Sequence, residues 1–344
     1  MNLLSAAYGT GARLRREWYA RHPERVRRLD RPVVSVGNLT VGGSGKTPIA
    51  AALATLLRDA GQRPVILSRG YARSDRNAPV VIVSDGARVL EPVSRSGDEP
   101  QMLARQLSGV PVVVGADRHA AGRMAQSQFD CTVFILDDGF QHVQLARDVD
   151  LLTVSVTDLD DRLLPVGRLR EPLRAATAAH AVLVDGTAEE ATRVAAALKI
   201  STAFSVTGRY GDPRSVAPFD GSIDIAHRRV LALAGIARPQ RFFSALRTLG
   251  WDVVRELRFR DHHWFSAADM ERIAAAARAS QVDLILTTEK DAVRMPDVSR
   301  GALTFAYLPM RVSIEPRAAF LAWLSTRLEN WGRGSSFEGS VSRK

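Results

Sequence analysis

Val33-Val34-Ser35-Val36, a β-branched run after Pro32, leads into a glycine-rich stretch that ends at Gly45, the pattern of a buried strand entering a tight loop. Beyond the loop Ile49, Leu53, Leu56 and Leu57 recur at helical spacing until Gly61, which predicts an amphipathic helix. Further apolar runs at Pro64 to Leu67, Val80 to Val83, Val110 to Val114 and Thr132 to Leu136 read as strands, the last being the most continuous. Near-continuous apolar strands alternating with helices predict an α/β fold, a mostly parallel sheet with helices on both faces.

The pattern lapses between 210 and 228, where Gly, Pro, Asp and Ser accumulate without a helical period, and a second α/β set follows. Val230 to Ala234 reads as a strand, Pro239 to Leu249 as a helix, Trp251 to Phe259 as a strand and Val282 to Leu286 as another. Between the last two, Ser266 with Asp269 three residues on forms a capping box that starts a helix. The predicted organisation is therefore an amphipathic segment at 1–30, a core at 31–209, a linker at 210–228, a smaller α/β domain at 229–328 and a frayed, Gly/Ser-rich tail at 329–344.

Leu3, Leu4, Ala7, Tyr8, Leu14, Trp18 and Tyr19 form a rough helical stripe at the N-terminus, among seven arginines and three acids in residues 1–30. It is too short to span a bilayer, which takes about 20 apolar residues. Two readings remain, an interfacial helix that meets anionic lipid through its arginines and a helix packed on the core. Gly9 and Gly11 weaken the helix itself.

At 344 residues, with 46% hydrophobic and 24% charged side chains, the chain is long enough for two cores and is not collagen-like, mucin-like or disordered. The single cysteine, Cys131, excludes an intramolecular disulfide or a multi-thiolate metal site and points to a reducing compartment. Forty-seven basic against 37 acidic groups give a formal charge of +10, which suits nucleic acid, an anionic membrane surface or a phosphorylated substrate without choosing among them. Nearly all the basic residues are arginine; Lys46, Lys199, Lys290 and Lys344 are the only lysines, so each merits inspection.

The motifs narrow the choice. Thr40-Val41-Gly42-Gly43-Ser44-Gly45-Lys46-Thr47 follows a strand and opens a helix, the setting in which backbone N–H groups cradle phosphates, a lysine reaches the β/γ-phosphates and a threonine hydroxyl ligates Mg²⁺. Thr40 stands where the usual pattern begins with glycine. Asp137 and Asp138 end the strongest strand and can hold that metal, although two acids there can also open a turn. Gly97-Asp98-Glu99-Pro100 lies between strands; its acids either face water in a turn or supply a base for an attacking hydroxyl. Asp261-His262-His263, in a loop of the second set, is equally open.

With Gly37-Asn38-Leu39-Thr40, Ser68-Arg69-Gly70-Tyr71, Asp117-Arg118, Gly139-Phe140-Gln141-His142, Gly167-Arg168-Leu169-Arg170-Glu171-Pro172 and Thr288-Glu289-Lys290-Asp291, these motifs occur in an order that resembles the tetraacyldisaccharide 4'-kinases, the lipid A 4'-kinases of Gram-negative bacteria. The resemblance runs from the N-terminal helix to about residue 325 and implies a P-loop NTPase-like fold. It implies ATP-dependent phosphorylation of the 4'-hydroxyl of a tetraacylated glucosamine disaccharide 1-phosphate, with ATP and Mg²⁺, at the cytoplasmic side of the inner membrane as a peripheral protein. By position Asp98 matches the catalytic aspartate and His262 its partner; Lys46 and Thr47 match the phosphate and metal positions, and Glu99, Asp137 and Asp138 match acids near the metal. Arg69, Arg118, Gln141 and Arg170 are the expected acceptor contacts. No nucleic acid and no obligate protein partner is expected.

The rival reading is a DNA-associated partition-type ATPase, whose loop carries a lysine just before the paired glycines where this chain has Val41. A GTPase lacks support because no Asn-Lys-x-Asp segment is present, and a non-catalytic membrane scaffold leaves the loop and the acids unexplained.

Overall fold

The computed structural model describes residues 3–335 except 44, 72, 75–76, 217–220, 222, 224–227 and 297–302. Helix α1 (Leu3–Arg21) precedes β1 (Val33–Asn38), α2 (Lys46–Asp59), β2 (Pro64–Ser68), β3 (Val80–Ser84), α3 (Val93–Ser96), α4 (Asp98–Gln106), β4 (Val112–Gly115), α5 (Arg118–Gln128), β5 (Val133–Asp137), β6 (Val149–Val154), β7 (Ala181–Asp185), α6 (Ala188–Leu198) and β8 (Ala203–Tyr210). A second run comprises β9 (Arg214–Ser215), β10 (Arg229–Ala234), α7 (Pro239–Thr248), β11 (Asp252–Arg258), α8 (Ala267–Ala279), β12 (Leu284–Thr288), α9 (Glu289–Ala292) and β13 (Thr304–Leu308). Last come β14 (Met310–Glu315) and α10 (Arg317–Ser335).

The first sheet has nine strands in the order β14-β8-β7-β6-β1-β5-β2-β4-β3, parallel except for its two edge strands, β14 and β3. Parallel strands here are buried on both faces, and side chains alternate between layers accordingly. Val34, Val36, Val133 and Ile135 pack with Ile49 and Leu53 of α2, whereas Val33, Phe134 and Leu136 pack on the opposite face with Ala121 and Ala125 of α5. A third cluster joins Leu152, Val182 and Val184 to Val194 and Leu198 of α6. β5 returns between β1 and β2, and β6 then pairs on the far side of β1. The strand order thus reverses beside β1, the place where an open α/β sheet presents a crevice at the carboxyl ends of its strands. The second sheet, β11-β10-β12-β13-β9, is parallel apart from β9.

The α/β class, the parallel sheet and the Ser266 capping box agree with the sequence reading. Its boundaries need correction. β14 pairs antiparallel with β8, and Phe320 and Leu324 of α10 enter the first core, so the chain crosses back after β13 instead of staying in the second set to residue 328. α10 also takes in 329–335, assigned from sequence to a frayed tail. The linker, outside its undescribed residues, contributes β9 and the buried Val216 to the second sheet.

Gly9 and Gly11 do not break α1. Gly9 is where the helix meets the protein: a Cβ there would lie 2.6 Å from Leu163 Cδ1. Ser5 Oγ donates to the Leu163 carbonyl at 3.1 Å, Arg15 donates to the Gln141 carbonyl at 2.9 Å, and Arg16 donates twice to Glu171, at 2.8 and 3.0 Å. One face is therefore docked, while Leu3, Leu4, Tyr8, Leu14 and Trp18 remain exposed, Leu3 at 87%.

Candidate active site

A cleft of about 700 Å³ opens between the carboxyl ends of the first sheet and the loops of the second. Its floor is the loop after β1. Gly42 and Gly45 sit at φ +93° and +74°, which glycine alone tolerates freely, and Gly45 caps α2 without a side chain that would compete for the helix's first N–H groups. Thr40, replacing the first glycine, accepts a hydrogen bond from Asn38 Nδ2 at 3.0 Å, so its side chain ties the loop to the strand end. Lys46 Nζ donates to Asn38 Oδ1 at 3.0 Å and lies 3.6 Å from Asp138 Oδ1. Val41 and Gly43 line the same wall; Ser44 lies outside the described residues.

Asp137 ends β5 at 2% exposure, with Thr47 Oγ1 3.4 Å from both carboxylate oxygens. Burial, reinforced by the negative charges of Glu99 and Asp138, pushes its carboxyl up to about 7. Asp138 has the opposite setting: against the penalty of burial, Lys46 and the Arg170 guanidinium hold it down at about 2. Among the described residues no three His, Cys, Asp or Glu side chains form a metal cage. Thr47, Asp137, Asp138 and Glu99 suit instead a hard cation that keeps most of its coordination for phosphates and water, and the charge at Asp137, which Lys46 and Thr47 offset only in part, is what such a cation would neutralise.

The raised Asp137 value has a measurable consequence. Above about pH 7 the folded chain bears an ionised carboxylate that burial disfavours; as pH falls from there towards the ordinary 3.8, folding takes up a proton and the penalty fades. Asp137→Asn is therefore expected to raise Tm at pH 8 in metal-free, nucleotide-free buffer, with the gain shrinking towards pH 5, while phosphoryl transfer is lost. An equal Tm difference at both pH values would contradict this.

Asp98 is neither in a turn nor facing water. It is the first residue of α4, 2% exposed, and Gly97 before it sits at φ +85°, where a Cβ would lie 2.5 Å from the Tyr71 carbonyl oxygen. Asp98 Oδ1 accepts from the Glu99 N–H at 2.9 Å, and Oδ2 lies 2.8 Å from His262 Nδ1. Burial would raise its carboxyl, but His262, Lys290 and Arg294 outweigh that and lower it. His262, at φ +58° in the loop after β11, has its ring edge-on to Tyr71 with centroids 5.1 Å apart. His263 turns away into the second unit, 3.0 Å from the capping Asp269 and against Phe259 and Phe265. Of the two histidines, His262 therefore faces Asp98 and the cleft, and His263 faces its own unit.

The four expected acceptor contacts divide. Arg69 and Arg170 line the cleft, Arg170 already bonded to Asp138 at 2.8 Å and to Asn38. Gln141 and Arg118 are not among the residues that line it: Gln141 Nε2 donates to the Asn38 main-chain carbonyl at 2.9 Å, and Arg118 to that of Ala116 at 3.0 Å. Burial, with Arg69 nearby, lowers the Arg118 guanidinium to about 10.

The family model described as tetraacyldisaccharide-1-P 4'-kinase matches residues 1–329. The chain belongs to this family. A tetraacyldisaccharide 4'-kinase of Koribacter versatilis is 41% identical over 93% of this chain and 95% of its own length. Another, from Syntrophus aciditrophicus, is 37% identical over 93% and 90%. The solved structure of the Aquifex aeolicus family member in complex with ATP superposes with a TM-score of 0.76 at 30% identity, covering 94% of this chain and 97% of that one. The partition-type reading is not favoured, whereas the ordered motif set led to the right family.

Within the tetraacyldisaccharide 4'-kinase framework, three side chains at the site had no role assigned from sequence. Asn38 links Lys46 to the strand end, and Lys290 and Arg294 surround Asp98. The scarcity of lysine was the available signal for Lys290. Arg294 offered none, being one arginine among many and 1% exposed.

Proposed function

We propose that the chain transfers the γ-phosphoryl group of ATP to the 4'-hydroxyl of a tetraacylated glucosamine disaccharide 1-phosphate, with Asp98 and His262 as a base dyad. The observation that carries this reading is the 2.8 Å contact between Asp98, at the start of α4 in the first unit, and His262, in the loop after β11 in the second, beside the cleft floored by the phosphate loop. A sugar hydroxyl is barely ionised at neutral pH, so the proton must leave as the new bond forms. Asp98 accepts it, and His262 holds the carboxylate in place. Lys46 and the N–H groups at the start of α2 meet the charge that develops on the transferring group. Mg²⁺, when bound, supplies neutralisation of that charge, with Thr47 and the carboxylates of Asp137, Asp138 and Glu99 as its protein-side holders. A dyad divided between the two units is complete only when both are in place, which limits transfer to water.

The exposed face of α1 supports peripheral membrane attachment. Among the described residues no helix is long and apolar enough to cross a membrane. Leu4, Leu14 and Trp18 are available to enter the headgroup boundary while the contacts of Arg16 and Gly9 keep the helix on the protein. Changing all three to glutamine is expected to lower co-sedimentation with anionic liposomes at least about tenfold, with Tm and turnover on detergent-dispersed substrate unchanged. Unchanged sedimentation would contradict attachment through this face.

The reaction itself is tested by incubating purified protein with ATP, Mg²⁺ and detergent-dispersed disaccharide 1-phosphate. A bis-phosphorylated lipid by mass spectrometry is the expected product, and its absence with folded, ATP-binding protein would overturn the proposal.

A further inference from the structure

Lys290, the second residue of α9, places its ammonium among groups from α4 and from the loop after β11. Nζ lies 3.2 Å from His262 Nε2, 3.2 Å from Glu99 Oε1, 3.5 Å from Asp261 Oδ1 and 3.9 Å from Asp98 Oδ2. The short helix that carries it is fixed from below. Thr288 caps it, and the buried Asp291 accepts from the Thr288 hydroxyl at 2.6 Å and from the Gly235 N–H at 3.0 Å. Arg294 donates to the Lys290 carbonyl at 3.2 Å and reaches Asp98 Oδ2 at 3.4 Å, so the whole arrangement is braced against the dyad.

An ammonium has three donors and no acceptor, whereas a neutral imidazole has one donor nitrogen and one acceptor nitrogen. The nitrogen that faces Lys290 must therefore carry the lone pair. From these contacts we infer that Lys290 is a positioning residue that fixes His262 as the Nδ1–H tautomer, so that the ring donates to Asp98 and Asp98 alone is left to receive the acceptor's proton. This rests on the base-dyad reading, in which Asp98 is the base and His262 its orienting donor, and adds to it the side chain that fixes the donor's tautomer. The opposite order, with the ring receiving the proton, needs Nδ1 or Nε2 free to accept; Nδ1 is committed to Asp98 and Nε2 to Lys290. The contact with Glu99 adds that the same lysine links the dyad to the carboxylates on the metal side of the cleft.

The test uses the full chain with ¹⁵N-labelled histidine, with the His262 signals assigned by their loss in His262→Gln. The wild type is expected to show a protonated Nδ1 and an unprotonated Nε2. In Lys290→Met the two nitrogens are expected to move towards the average of exchanging tautomers, while kcat falls about 10²-fold and KM for ATP stays within about twofold. Lys290→Arg, also a donor-only side chain, is expected to restore the wild-type pattern and most of kcat. A proton on Nε2 in the wild type, or an unchanged His262 pattern in Lys290→Met, would overturn the inference. If Lys290→Met does not fold, Lys290→Gln, whose amide can accept as well as donate, takes its place with the same expectation, and an unchanged His262 pattern there overturns the inference equally. Absence of lipid phosphorylation by the wild type counts against the kinase reading alone, because the tautomer is read without substrate.

Discussion

Asp98→Asn is expected to lower kcat by about 10³-fold while leaving KM for ATP within about twofold. The amide keeps the shape of the side chain and its place at the start of α4 but cannot take a proton from a hydroxyl. It also presents Nδ2 or Oδ1 to groups that all donate: His262 at 2.8 Å, Arg294 at 3.4 Å and the Glu99 N–H at 2.9 Å. His262→Ala removes the orienting donor and is expected to cost about 10²-fold. The double variant is expected to be scarcely slower than Asp98→Asn, because side chains that act as one unit are non-additive. Kinetics of the four proteins under saturating ATP check this, and fully multiplicative losses would mean independent roles.

Lys46→Ala is the second large effect, a fall in kcat of about 10²- to 10³-fold. Its ammonium is presented to the cleft by Asn38 and Asp138, and it is the one lysine in the glycine loop. Truncation removes charge stabilisation of the transferring group. It also removes a cation that holds Asp138 ionised and moderates the charge on Asp137. Because α2 remains anchored through Ile49, Leu53 and Leu57, Tm is expected to change little. Turnover and a melting curve measured on the same preparation separate loss of chemistry from loss of fold; wild-type turnover in this variant would show that the loop does not serve phosphoryl transfer.

What was legible in the sequence was local. The loop at 40–47 announces itself because glycine, lysine and threonine are required within one turn of chain, and Ser266 with Asp269 because a capping box spans three residues. β6, β7 and β8 carry the same apolar character as β1 but lack a distinctive loop to mark them. β14 and α10 were assigned to the wrong unit because pairing between Ser205 and Glu315 joins residues far apart in the chain, a contact that no local pattern records. The site shows the same division. Asp98 and His262 could be matched to a family but not, from spacing alone, to each other, since 164 residues separate them and the contact exists only once the second sheet docks. Lys290 and Arg294 are ordinary cations until the fold buries them beside Asp98. Nor does motif membership tell which partner a side chain takes: Gln141 bonds the Asn38 carbonyl and Arg118 that of Ala116, contacts set by how each loop packs.

The most direct test is single-turnover transfer from γ-labelled ATP to two acceptors, the tetraacylated disaccharide 1-phosphate and its 4'-deoxy analogue, with wild-type protein and Mg²⁺. Label is expected to appear on the first lipid at the rate of ADP formation. The deoxy analogue is expected to receive none, with negligible ADP formed, because no 4'-hydroxyl is available to lose its proton to Asp98. Equal labelling of both lipids, or ADP released at the same rate with either, would contradict a dyad built for the 4'-hydroxyl.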